Sequence, residues 1–235
     1  FTWEIGPFSL SAGKDMVTTG GFEFDDYDFD VHPELCSALW QNFSCYQWGG
    51  KLGYTTPSEK TYFGLQVTAS PFGERPFQKD LFPSFSLEWR GDYGPVRTIW
   101  SITSVGSEYP FFPQNILFAL GQQADLGDFT IGIDWFSRSG DGEDILLEGS
   151  TLLGTVQYKP SDKFDLLVKG GFENAQENLI DLLMAGEDGI VYTHTAGHNL
   201  FGGVALHWYP VENLRLHAVA AYHSFRKTAM LSVGA

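Results

Sequence analysis

The side chains best suited to ion binding are concentrated in one acidic and aromatic stretch. Residues 22–30 read Phe-Glu-Phe-Asp-Asp-Tyr-Asp-Phe-Asp. Because side chains alternate in an extended backbone, Asp26, Asp28 and Asp30 would lie on one side and Tyr27 and Phe29 on the other. Two interpretations stay open: an acidic constriction that favours cations or hydrated neutral solutes over anions in a pore, or a solvated loop whose aromatic rings pack on a neighbouring wall. The carboxylates of the predicted constriction are Glu23, Asp25, Asp26, Asp28 and Asp30.

Calcium binding by this stretch does not follow the EF-hand pattern. Val31 stands where that loop needs glycine, and Ser37 stands where it needs a bidentate glutamate. Looser calcium binding by the aspartates, or by Asp141, Glu143 and Asp144, remains open. No other metal is expected.

Catalytic combinations are weak elsewhere in the chain. His194 and His198 have a four-residue spacing, but no clear helix carries them, so zinc is not expected. Ser84, Ser86 and Ser101 share a face with polar neighbours, yet no nucleophile elbow or paired acid and histidine accompanies them. The sequence therefore predicts no enzyme.

The two cysteines, Cys36 and Cys45, lie nine positions apart. A disulfide would tie the end of the acidic segment to the following strand, and two buried free thiols are the alternative. The sequence does not give the Cβ separation that a disulfide requires. An even cysteine pair suits an oxidising compartment.

Composition excludes several classes of partner and architecture. The chain has 235 residues, 29 acidic and 14 basic side chains, and a formal net charge of −15. No basic stripe is present to neutralise phosphates, so nucleic-acid binding is not expected. No apolar run reaches the roughly 18 residues of a membrane-spanning helix. The hydrophobic content of 43% is too high for an acidic disordered tail.

The elements that position these residues show a period of two. Within 164–172, Phe164, Leu166 and Val168 fall on one face and Asp165 and Lys169 on the other. The sequence predicts thirteen strands, at 1–5, 8–13, 44–55, 61–69, 84–91, 96–105, 115–124, 128–137, 150–158, 163–173, 199–209, 213–224 and 228–235. The polar residues predicted to line a pore are Glu4, Lys51, Gln66, Glu88, Arg90, Arg97, Asp134, Asp165, Lys169, His207, Arg215 and His217. His207 would lie opposite Arg215 or His217, depending on the turn register.

The connections between these strands alternate between short and long. Short turns rich in Gly, Pro and Asp alternate with the long segments 14–43, 70–83, 106–114, 138–149 and 174–198. This alternation is typical of transmembrane antiparallel β-barrels, with short periplasmic turns and long external loops. A sheet in lipid must close, because nothing there satisfies a free strand edge. A soluble β-sandwich is the alternative, but its strands are commonly about 5–6 residues long. Aromatic residues suited to an interfacial belt are Trp3, Trp89, Trp135, Trp208, Tyr54, Tyr158 and Tyr222.

The fold class predicted is therefore all-β, with residues 1–235 in a single barrel domain. If both ends of the barrel are periplasmic, an odd number of strands precedes Phe1, which predicts 16 strands in total, with 14 or 18 as alternatives. With 16 strands, 14–43 is the third external loop. Segment 174–198 is predicted to be an external loop with a short helix at 175–185, where leucines recur at helical spacing.

Short motifs resemble porins of the Bacteroidota outer membrane. They are Gly13-Lys14-Asp15, Gly20-Gly21-Phe22-Glu23, Trp48-Gly49-Gly50-Lys51-Leu52-Gly53-Tyr54 and Trp208-Tyr209-Pro210. The chain is loosely similar to the phosphate-selective porin O and P family. The resemblance implies a passive diffusion channel that self-associates as a trimer, and the likeness to general porins implies a third loop that folds inward. Phosphate selectivity is not expected, because anion pores are lined with Lys and Arg.

The sequence is consistent with three functions. The first is an outer-membrane porin that passes small hydrophilic solutes or ions without a covalent step. The second is a structural or docking barrel within a larger outer-membrane or surface assembly, and the third is a secreted glycan-binding β-sandwich. The first predicts as partners the lipid bilayer, lipopolysaccharide, small hydrophilic solutes, and further copies of the chain or other outer-membrane proteins.

Overall fold

The chain folds almost entirely into antiparallel β-strands in a computed structural model. The structure describes residues 1–16, 18, 21–22, 46–69, 83–106, 116–139, 149–175, 179–180, 193–194, 197–212, 214–224 and 228–234. No helix among them is long and apolar enough to span a membrane. The strands are β1 (Thr2–Ile5), β2 (Phe8–Met16), β3 (Tyr46–Thr55), β4 (Thr61–Thr68), β5 (Ser84–Asp92), β6 (Val96–Ser104), β7 (Ile116–Leu126), β8 (Phe129–Ser139), β9 (Gly149–Ser161), β10 (Phe164–Ala175), β11 (Leu179–Ile180), β12 (Thr193–His194), β13 (Gly197–Val211), β14 (Leu214–His223) and β15 (Thr228–Gly234).

One sheet contains thirteen of these strands, and neighbours in the sheet follow the order of the chain. Its order is β1 to β10, then β13, β14 and β15, and every pair is antiparallel. Each of the thirteen predicted strands is present, with ends that differ by at most three residues. The all-β, up-and-down architecture predicted from the periodicity is therefore confirmed.

The predicted helix at 175–185 is wrong where the structure describes it. Ala175 ends β10, and Leu179–Ile180 form β11, which pairs with Thr193–His194 of β12. A short apolar run fits a helical and an extended pattern equally well. Pairing with a second short strand satisfies the backbone of Leu179 and Ile180 without a helix.

Tight turns fix the register of the hairpins. Leu126 pairs with Phe129, so that only Gly127 and Asp128 join β7 to β8. Gly127 has a φ of +71°, as the primed turns of two-residue hairpins require, because their twist matches that of the strands.

The sheet is apolar outside and polar inside. On β8, Ile131 and Ile133 are 44% and 50% exposed, whereas Asp134 is only 4% exposed. On β10, Val168 is exposed and Lys169 is buried. A soluble sandwich has the opposite distribution, so that alternative is wrong.

Aromatic rings form two bands on the outer face. At the ends joined by short turns, Phe129 stacks on Tyr158 with ring centroids 4.5 Å apart, and Phe164 pairs with Trp208. Phe172 lies eight residues further along β10, which is about 26 Å along a strand and about 20 Å across a bilayer at a tilt of about 40°. This spacing suits the roughly 25 Å apolar band of outer-membrane barrels.

The inner face is more mixed than the sequence pattern predicts. Leu117, Ala119, Phe136 and Leu153 have the inner parity and are at most 1% exposed. A second cluster of buried apolar residues follows on later strands and comprises Leu167, Ala205, Val219 and Ala221. These parts of the inner wall contact other protein groups rather than open water.

Candidate functional site: the inner wall of the sheet

The residues predicted to line a pore share the inner face of the sheet. Glu88, Asp134, Asp165, Lys169 and His207 are buried there. The remaining members keep more solvent access or, like Gln66, are covered by a neighbouring segment. The full set is Glu4, Lys51, Gln66, Glu88, Arg90, Arg97, Asp134, Asp165, Lys169, His207, Arg215 and His217.

Three charged groups form an ion triad on this wall, which we call the Lys51–Glu88–Arg90 triad. Lys51 Nζ lies 2.5 Å from Glu88 Oε2, and Arg90 Nε lies 2.5 Å from Glu88 Oε1. The side chain of Glu88 is 1% exposed, whereas those of Lys51 and Arg90 are 21% and 42% exposed. One buried carboxylate thus holds two cations that face the interior.

Glycine makes this triad sterically feasible. Lys51 is on β3 and Glu88 on β5, so the lysine must cross β4, where it passes over Gly64. A Cβ at Gly64 would lie 2.9 Å from Lys51 Cε. The ring of Tyr62 covers both Gly64 and Gly53 and lies 5.5 Å from Lys51 Nζ. An aromatic ring over glycine is a known way to stabilise a sheet at that residue.

A second basic group lies on β6, nearer the short turns. Arg97 Nε is 3.5 Å from Asp125 Oδ2, and its guanidinium carbon is 5.6 Å from the centre of the Phe22 ring. Thr130 Oγ1 donates a hydrogen bond to Asp125 Oδ1. Arg97 therefore links the barrel wall to the segment that follows β2.

The structure resolves the alternative register of the last long hairpin. His207 pairs with His217 and not with Arg215, and on its other side it pairs with Asp165. His207 Nδ1 lies 3.6 Å from Asp165 Oδ2, which also accepts a 2.8 Å hydrogen bond from Gln157 Nε2. These residues form a polar row across β9, β10, β13 and β14.

A further polar row lies toward the long connections and was missing from the predicted residues. Thr151, Glu173 and Asn199 are consecutive partners across β9, β10 and β13, and each is at most 5% exposed. Arg138 interacts electrostatically with Glu173 and lies 5.5 Å from the ring of Phe136. The strand parity could have identified Arg138 and Glu173, because Arg138 is four residues beyond Asp134 and Glu173 is four residues beyond Lys169.

The segment after β2 enters the interior at three described residues. Thr18 N–H donates to Gln66 Oε1 at 2.7 Å, and Thr103 Oγ1 donates to the Thr18 carbonyl at 2.6 Å. Phe22 N–H donates a buried 2.8 Å hydrogen bond to Asp134 Oδ1.

Gly121 provides the space for this docking. A Cβ at Gly121 would lie 2.9 Å from both Gly21 Cα and Phe22 Cδ2. Thr18, Gly21 and Phe22 therefore lie against the inner faces of β4, β6, β7 and β8.

Two cavities adjoin the triad. One, of about 260 Å³, lies against β1 to β4 and is lined by Lys51, Lys14 and Gln66 among others. The other, of about 210 Å³, is lined by Arg90, Arg97, Lys60, Tyr62 and Phe22 among others. Water and small solutes therefore have space next to both cations of the triad.

Several sequence predictions lie outside the described residues. They include the constriction carboxylates Glu23, Asp25, Asp26, Asp28 and Asp30, the pair Cys36 and Cys45, and the calcium alternative at Asp141, Glu143 and Asp144. Among the described residues no group of His, Cys, Asp or Glu is arranged to hold a metal ion.

Comparisons with solved structures identify the fold. The chain superposes on a loop L8 deletion mutant of OmpT, an outer-membrane protein of Vibrio cholerae, with a TM-score of 0.58 and 11% identity over 95% of this chain and 72% of that one. OmpT itself gives a TM-score of 0.57 and 11% identity over 94% and 67%. The fold is that of an outer-membrane β-barrel. OccAB4 of Acinetobacter baumannii gives a TM-score of 0.50 and 13% identity over 98% and 70%. No sequence-family profile and no curated protein matches the chain.

Proposed function

We propose that this chain is a porin of the cell outer membrane that lets small hydrophilic solutes or ions diffuse through its interior. The observation that carries the proposal is the inside-out distribution of side chains. On the inner face, ionisable groups such as Lys51, Arg90 and Arg97 lie next to cavities large enough for water. The outer face is apolar and carries aromatic side chains. Charges in a wet interior avoid the desolvation cost of a dry core. The mechanism involves no covalent step.

We also propose that the acidic segment 14–43 narrows this path. Thr18, Gly21 and Phe22 already lie against the inner wall, and the constriction carboxylates follow directly in sequence. A ring of carboxylates at a narrow point would favour cations. Membership of the Bacteroidota porins, self-association as a trimer and contact with lipopolysaccharide belong to the same proposal and rest on the motif resemblance.

Planar-bilayer recording tests the proposed function. The purified protein should give stable stepwise ion current. Replacing Asp26, Asp28 and Asp30 together by Asn should shift the reversal potential in a salt gradient toward anion preference. Unchanged selectivity would remove the constriction proposal, and a tight seal with correctly folded protein would remove the porin proposal.

A structural or docking barrel is the second candidate, and one observation favours it. Inner-wall residues such as Ala119, Phe136, Glu173 and Ala205 are at most 1% exposed, so other protein groups cover this part of the inner wall. A filled barrel would seal the bilayer and bind partners through its long connections. The same recording therefore separates the two functions.

A further inference from the structure

The Lys51–Glu88–Arg90 triad presents its charges unequally to the interior. Lys51 lines the cavity of about 260 Å³ and Arg90 lines the cavity of about 210 Å³, whereas Glu88 lines neither. Its side chain is 1% exposed because both cations and the sheet cover it. A solute beside this wall therefore meets the two cations of the triad before it meets Glu88, together with Asp15 in the first cavity and Glu59 and Asp92 in the second.

The negative charge of Glu88 nevertheless acts on a passing ion. Glu88 contacts Lys51 and Arg90 directly, so the triad has a formal charge of +1 instead of the +2 that the cations alone would have. In water a unit charge about 8 Å from an ion changes the local concentration of that ion about twofold. Salt at about 0.1 M screens charges only over about 10 Å, so an effect at this distance survives.

We propose that Glu88 is a specificity-determining residue, because it lowers by one unit the positive charge that this wall presents to permeating ions. The inference rests on the proposed porin function and names a determinant of its charge selectivity. Lys51 and Arg90 attract anions, and Glu88 limits that attraction so that the wall does not select strongly against cations.

The surrounding residues are arranged to keep this triad together. Gly64 leaves room for the Lys51 side chain to cross β4, and the ring of Tyr62 lies 5.5 Å from Lys51 Nζ. An interaction needed only for stability would not require the cations to face the two cavities. The selectivity role is therefore tested by the ratio of ion permeabilities, which a purely stabilising interaction would not change.

The test measures the ratio of potassium to chloride permeability from reversal potentials in a KCl gradient. Glu88→Gln should lower this ratio about twofold or more, and Lys51→Gln should raise it, because Glu88 then faces only Arg90. The double variant should return close to the wild-type ratio. Asp162→Asn, at an exposed turn between β9 and β10, removes the same single negative charge far from the triad and should leave the ratio unchanged.

Each outcome decides a different claim. Wild-type protein without ion current would overturn the proposed function and this inference together. Current with the same permeability ratio in Glu88→Gln, or an equal shift in Asp162→Asn, would overturn the inference alone. If Glu88→Gln fails to fold, the opposite shift in Lys51→Gln still decides the question, and its absence counts against the proposal.

Discussion

Replacing Asp134 by Ala should release the segment after β2 from the inner wall. Asp134 Oδ1 accepts the buried 2.8 Å hydrogen bond from Phe22 N–H. Losing a hydrogen bond to a charged group costs about 1.5–3 kcal/mol. Since each 1.4 kcal/mol is a factor of ten, the undocked fraction should rise about 10- to 150-fold.

Limited chymotrypsin digestion measures this fraction without depending on channel activity. Phe22 is 6% exposed when docked, so the bond after it is accessible only when the segment leaves the wall. When undocking is fast relative to cleavage, the cleavage rate follows the undocked population. The rate at Phe22, read by mass spectrometry, should therefore rise at least about tenfold in Asp134→Ala.

Two variants serve as controls for this prediction. Asp134→Asn keeps an acceptor oxygen but loses the charge, so it should give a smaller rise. Ile131→Ala lies on the same strand but on the outer face, where Ile131 is 44% exposed, so it should leave cleavage unchanged. A folded Asp134→Ala protein cleaved at the wild-type rate would refute the claim that this hydrogen bond holds the segment.

Three further predictions concern the wall and its outer face. Thr103→Val loses the hydroxyl that contacts Thr18 and Ser86, and the lost bond to the Thr18 carbonyl, at about 1 kcal/mol, should raise cleavage at Phe22 about fivefold; an unchanged rate would exclude a docking role for Thr103. Gly53→Ala places a Cβ 2.6 Å from the Tyr62 ring and should lower the free energy of unfolding by about 1–3 kcal/mol. The control Gly132→Ala, with its nearest atom at 3.7 Å, should be tolerated in the same urea titration in micelles, and equal losses would contradict the packing argument. Ile133→Arg, on the outer face, should cost about 2–4 kcal/mol in lipid vesicles, whereas Thr155→Arg on the inner face should cost less; the reverse order would contradict the assignment of the faces.

The architecture was predictable because a sheet with one apolar and one polar face leaves a strong signal in the sequence. Alternation along segments such as 164–172 separates the two faces, and turns such as Gly127–Asp128 mark where hairpins close. The pairing of His207 with His217 was not predictable, because a shift between Trp208 and Val211 changes the register.

The site was predictable only in part. Parity places Lys51 and Glu88 on the same face, but it does not show that Gly64 lets them meet across an intervening strand. The docking of Phe22 on Asp134 joins residues 112 positions apart, and no local pattern reports such a contact. Parity places Phe136 on the inner face, but it does not show whether that part of the inner face is covered by protein or open to water.

The order of the strands has a consequence for how the chain tolerates change. Every strand of the large sheet pairs with the next strand of that sheet along the chain. The β10–β13 pair follows the same order, because residues 176–196 connect the two strands and contribute no strand to the large sheet. The register of each strand is thus set by its own hairpin. The long connecting segments can be shortened, lengthened or exchanged for foreign peptides while the strands keep their register.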